Sequence, residues 1–117
     1  MFETMAATVL GDHMGGHVFE PPSGPAGYPR LLSPNRRPYR TSDGYICALI
    51  YTNRQWAAFF GAIGQTGVIE NDPRFATMGS RTEHIDALYQ MVSDIMQTRS
   101  SAEWLELLQR ADIPVMP

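Results

Sequence analysis

The sequence has no lysine. Its nine basic residues are all arginine and face twelve carboxylates, for a formal charge of −3 over 117 residues. That balance gives no general attraction to nucleic acid or to an acidic membrane surface. A single cysteine, Cys47, excludes an internal disulfide. Its place in an apolar run predicts a small buried side chain rather than a nucleophile, and fits a reducing compartment. No apolar run approaches the roughly 20 residues needed to span a bilayer, and no charged n-region leads into an apolar h-region. The expectation is a cytoplasmic protein with neither nucleic acid nor membrane as a partner. The length corresponds to about one domain.

What is present falls into an arm and a packed region. Phe2, Met5, Ala6, Val9 and Leu10 follow the i, i+3, i+4, i+7, i+8 stripe of a helix with one buried face, weakened near Gly15 and Gly16. Between Glu20 and Pro38 stand six prolines and two glycines, a composition that predicts a linker with neither helix nor ladder. The organising stretch is Arg37 to Gly64. It begins with a proline-held basic approach and an Asp43-Gly44 turn. The continuously apolar run Tyr45 to Tyr51 follows, expected as a strand covered on both faces. Next comes a helix capped at Thr52 or Asn53, carrying Trp56, Phe59, Phe60 and Ile63 inward and closed by Gly64.

Residues 67–79 read as a connector in which Pro73 opens a turn after Asp72. Ser80 and Glu83 form a capping-box pattern ahead of a helix with Ile85, Leu88, Tyr89, Val92, Ile95 and Met96 on one face. Ser100 and Glu103 repeat the pattern before Trp104, Leu107, Leu108 and Ala111. Ile113 to Pro117 is then extended. An apolar segment ending at Pro117 reads as the boundary of a fragment. The predicted architecture is α+β: a small antiparallel sheet including 45–51 and 113–116, with helices near 54–63, 81–98 and 102–111. The division expected is an arm over 1–38 and a small domain over 39–117.

No catalytic constellation emerges from these residues. His13 and His17 have the i, i+4 spacing that shares a metal, but no glutamate follows His13, so they read as surface histidines. Ser23, Ser33, Ser42, Ser80, Ser100 and Ser101 sit in turn or cap contexts, and none has the glycine elbow that exposes a nucleophile. Asp43 and Asp72 are the acids of an Asp-Gly and an Asp-Pro turn. Gly24, Gly27, Tyr28 and Arg30 form a flexible, hydrogen-bonding loop and are the substrate-binding candidates, as a lid would be. Arg36, Arg37 and Arg40 can grip a phosphate or carboxylate by bidentate hydrogen bonds, or pair with acidic groups of a partner subunit, which is the preferred reading.

The run Arg37-Pro38-Tyr39-Arg40-Thr41-Ser42-Asp43-Gly44-Tyr45-Ile46, then Gln55-Trp56 and Phe59-Phe60-Gly61-Ala62-Ile63-Gly64, resembles the family III CoA-transferases. Asp72-Pro73-Arg74-Phe75-Ala76-Thr77, Arg81, His84, Trp104 and Ile113-Pro114-Val115-Met116-Pro117 extend the resemblance over essentially the whole chain. The family includes formyl-CoA transferase, the CaiB/BaiF carnitine-CoA transferases and the alpha-methylacyl-CoA racemases. The resemblance implies the small domain of a longer enzyme that moves CoA between an acyl-CoA and a carboxylic acid through an aspartyl intermediate. The catalytic aspartate would belong to a large domain upstream of Met1, so no residue here is catalytic and no activity is expected of the chain alone.

The implied substrate is a coenzyme A thioester, with no cofactor or metal held by this chain. The implied partners are the large domain and a second subunit in an interlocked homodimer. The glycine-rich loop of formyl-CoA-type enzymes corresponds in place to Gly24 to Arg30, without its run of consecutive glycines. Racemases carry a carboxylate in a Glu-Pro context where this chain reads Thr52-Asn53, which favours a transferase. A racemase-type small domain and a non-catalytic dimerisation or binding module are the alternatives.

Overall fold

A computed structural model describes every residue of the chain except Pro25. It divides into two compact units, Met1–Ser33 and Pro34–Pro117. The first holds helix α1 (Phe2–Met14), a 3-10 turn over Gly15–His17 and the one-turn helix α2 (Pro29–Leu32). Helix α1 runs through Gly11 and gives way at the Gly15-Gly16 pair, as the conformational cost of glycine predicts. Its apolar stripe differs from expectation: no residue of α1 is buried, and Phe2 is 86% exposed. The expected helix-free linker also contains α2, because Pro29 takes the first helical position, where a missing N–H costs nothing.

The second unit contains a three-stranded antiparallel sheet of order β1-β2-β3, made of β1 (Tyr39–Arg40), β2 (Tyr45–Ala48) and β3 (Val115–Met116). Tyr39 lies opposite Ile46 and Arg40 opposite Tyr45, while Cys47 pairs with Met116 and Ala48 with Val115. The α+β class with a small antiparallel sheet is thus as the sequence predicts. The strand itself is shorter than the apolar run and is not covered on both faces. Ile46 and Ile50 are buried, whereas Tyr45, Cys47, Leu49 and Tyr51 are exposed. The expectation of a buried Cys47 therefore fails, for the period-2 geometry of a strand puts it on the face opposite Ile46.

Helix α3 (Asn53–Ala62) starts at Thr52, whose hydroxyl accepts from the Gln55 N–H while the Gln55 side chain accepts from the Thr52 N–H. Both orphan donors are satisfied reciprocally. The helix buries Trp56, Phe59 and Phe60, and Gly64 follows it at φ 74°, the left-handed conformation that glycine takes without a Cβ penalty. The connector is more ordered than expected. It contains α4 (Gly67–Asn71) and a 3-10 turn over Pro73–Phe75, and Phe75 is buried.

The helix expected over 81–98 is two helices, α5 (Met78–Glu83) and α6 (Ile85–Met96), broken at His84. Thr77, not Ser80, caps α5, its hydroxyl accepting from the Ser80 N–H at 3.0 Å. The Ser80/Glu83 pattern lost because Thr77 offers the same oxygen one turn earlier, where extended backbone ends. Helix α7 (Ser101–Arg110) starts as predicted, with Ser100 and Glu103 bonding reciprocally.

These elements enclose one core in which Ile46, Trp56, Phe59, Phe60, Leu88, Val92, Met96, Trp104 and Leu108 are fully buried. Its centre is aromatic. Phe75 meets Trp56 and Phe60 edge-on at 5.2 and 5.4 Å between centroids, and Trp104 stacks on Phe59 at 6.3 Å. Such offset and edge contacts add to the area each ring removes from water.

Candidate functional site

The uncovered face of the sheet forms a groove of about 560 Å³. Cys47 of the central strand and Leu49 just past its end, with Val115 and Met116 of β3, contribute to an apolar lining that Arg36 and Arg37 complete. Local structure fixes each contribution. The Asn35 side chain donates to the Asp86 carbonyl at 3.2 Å, which ties the turn to the first turn of α6, and the Arg37 N–H donates to the Asn35 carbonyl. Tyr39 is buried two residues further on, and Pro38 restricts the backbone between. Arg36 and Arg37 therefore project from a short segment held at both ends. Past β2, the Leu49 N–H donates to the Pro114 carbonyl at 2.9 Å, extending the pairing along the groove.

Both guanidiniums are exposed, and among the described residues neither forms an ion pair. No carboxylate lines the groove. The site thus combines apolar surface with two positively charged side chains, each able to form a bidentate pair with a carboxylate or phosphate. The sequence singled out Arg36 and Arg37. It did not single out Cys47, Leu49 or Met116 as a lining, because a continuous apolar run hides which alternate positions stay open.

The predicted loop residues lie in the first unit. Gly24 is half-buried; Gly27 has φ 90°, and a Cβ there would collide with Leu32 Cδ1, so the turn into α2 requires glycine. Tyr28 precedes α2, its carbonyl accepting from the Leu31 and Leu32 N–H groups, and its ring stacks on His13 at 5.5 Å. Arg30 is buried. They form a local turn and helix start, and nothing in that arrangement assigns them a ligand.

The remaining candidates have structural work. Asp43 Oδ1 accepts from the Ser101 N–H at 2.7 Å and from the Thr41 hydroxyl at 3.0 Å. Those bonds, the Ser101 N–H first, hold its carboxyl below the usual aspartate value. Asp72 caps the Pro73–Phe75 turn and pairs with Arg74 at 2.6 Å, which lowers the Asp72 carboxyl and raises the Arg74 guanidinium. Among the described residues no group of three His, Cys, Asp or Glu could hold a metal, and no helix is long and apolar enough to cross a membrane.

A two-layer α+β domain with an aromatic core and an open sheet face is the fold class. It is shared with solved structures of Rv3272 from Mycobacterium tuberculosis, one at 23% identity and TM-score 0.65, another, of a mutant, at 22% and 0.67. Each covers 95% of this chain, which in turn spans 28% and 27% of theirs. The family model for CoA-transferase family III matches residues 1–117, and the chain belongs to that family. It is 32% identical over 71 residues to the probable fatty acyl-CoA transferase Rv3272 of M. tuberculosis, covering 61% of this chain and 18% of that protein. With the (R)-2-hydroxy-4-methylpentanoate CoA-transferase of Clostridioides difficile it shares 31% over 84 residues, 70% of this chain and 21% of the relative. The chain thus spans about a fifth of the length of these curated relatives.

Proposed function

We propose that this chain serves as the small domain of an enzyme that transfers CoA between an acyl-CoA and a carboxylic acid. The observation that carries the proposal is the family match over the full 117 residues, supported by relatives whose names are those of CoA-transferases. The acid to be activated would take CoA through an acyl-aspartyl anhydride and an aspartyl-CoA thioester formed on a large domain, with each step a displacement at a carbonyl. On this reading the nucleophile belongs to the large domain, and the two turn aspartates of this chain, Asp43 and Asp72, are committed to capping and to an ion pair. Its contribution is a rigid sheet and helix layer against which the large domain and a second subunit pack. The division into an arm over 1–38 and a small domain over 39–117 belongs to the same proposal, as does the assignment of Gly24, Gly27, Tyr28 and Arg30 to a substrate-side loop.

A chimera tests it. The segment of the C. difficile CoA-transferase that aligns with this chain is replaced by residues 1–117, and CoA exchange is measured with that enzyme's own substrates. Retained exchange, within about a hundredfold of the parent, is expected where positioning is conserved. A chimera that folds and assembles like its parent yet shows no exchange contradicts the assignment.

A further inference from the structure

The Arg36/Arg37 groove has the makings of a binding site in its own right. Its volume of about 560 Å³ lies within the range of small-molecule pockets, roughly 300–1,000 Å³. Its lining is mostly apolar, supplied in part by Leu49, Val115 and Met116, and its charged lining residues are the two arginines Arg36 and Arg37. No carboxylate among the lining residues neutralises them. A ligand complementary to this arrangement is apolar along most of its length and carries one compact, planar anion at its end.

We infer that the groove binds an aliphatic carboxylate, its chain along Leu49, Val115 and Met116 and its carboxylate between the Arg36 and Arg37 guanidiniums. Charge complementarity selects the anion, since the two cations are uncompensated, and the apolar lining selects the chain through the area it removes from water. The inference goes beyond the proposed function: it assigns a ligand class to residues of this chain and needs no turnover to be tested.

Cys47 is an internal probe, because the only cysteine of the chain is exposed and lines the groove. A bound chain shields its sulfur from a neutral alkylating agent. The experiment follows the rate of Cys47 alkylation by iodoacetamide, by mass spectrometry, as octanoate is titrated against the 117-residue chain, with octanamide as the uncharged control. At ten times its Kd, octanoate leaves few sites free and slows alkylation by about tenfold. Octanamide requires concentrations about ten times higher or more, because it lacks the charge-assisted bonds.

The double variant Arg36→Gln, Arg37→Gln, which changes only exposed side chains, weakens octanoate protection to the level of octanamide while leaving the circular dichroism spectrum unchanged. Equal protection by octanoate and octanamide, no protection at millimolar octanoate, or full protection in the double variant each overturns the inference. Octanoate protection in this chain alongside an inactive chimera would instead contradict the proposed function and leave the groove standing.

Discussion

Asp43 and Ser101 are 58 residues apart in sequence, yet Asp43 Oδ1 accepts the Ser101 backbone N–H at 2.7 Å. The Ser101 hydroxyl meets that of Thr41 at 2.8 Å, and the Ser42 N–H donates to the Arg99 carbonyl. The turn between β1 and β2 therefore supplies a second cap to α7, beside the one Ser100 provides. Local chain reversal and tertiary docking are one structure here. Asp43→Ala removes the acceptor from Ser101 N–H and from Thr41 together, and is expected to lower the urea midpoint more than Ser42→Ala. Equal midpoints for the two variants would contradict this coupling.

The same bonds give the fold an acid limit. Asp43 is held below its ordinary value in the folded chain, so its contribution is present above that ordinary value and is lost as pH falls through the lower, folded one. Glu103 behaves alike, held down first by the Ser100 hydroxyl and then by the Ser100 N–H. Urea midpoints measured from neutral pH to below pH 3 should fall on the acid side, and Asp43→Asn should flatten that fall while lowering the neutral plateau. An unchanged acid slope in the variant would assign the loss to other carboxylates.

Trp104 joins α7 to the rest of the core twice over. Its ring is fully buried against Phe59, and its indole N–H donates to the Met96 carbonyl at 2.7 Å. Trp104→Ala is expected to cost about 3–5 kcal/mol, a large fraction of the roughly 5–15 kcal/mol that stabilises an ordinary domain. Trp104→Phe keeps most of the apolar burial but leaves the carbonyl without its donor, for about 1–3 kcal/mol. Chemical denaturation separates the two, and equal costs would mean that the buried ring contributes nothing beyond its hydrogen bond.

The cap of α5 provides a sharp comparison between neighbouring residues. Thr77→Ala deletes the acceptor of the Ser80 N–H and should cost about 1 kcal/mol. Ser80→Ala should stay within about 0.5 kcal/mol, as at other surface positions. The reverse order would restore Ser80 as the cap.

Much of this architecture was legible because the signals are local. Reciprocal side-chain and backbone bonds at Thr52/Gln55 and Ser100/Glu103 are written within four residues, and so is the glycine that ends α3. The inward faces of α6 and α7 follow from helical period alone. What was hidden depends on residues far away in sequence. The exposure of Cys47 and Leu49 is decided by which face of β2 the helices cover, and a run of apolar residues is silent on that. Phe75 is buried by Trp56 and Phe60, which turned an expected connector into part of the core. Of the candidate site, the paired arginines were visible, whereas the groove beside them required the sheet.

The central claim is that this chain positions rather than performs CoA transfer, and the most direct test uses the chain alone. Residues 1–117 are incubated with a panel of acyl-CoA donors and labelled carboxylic acids, and labelled acyl-CoA is measured against a no-protein control. The account predicts no exchange above the control for any pair. Reproducible exchange that scales with protein concentration would contradict it, and would place a nucleophile within residues 1–117.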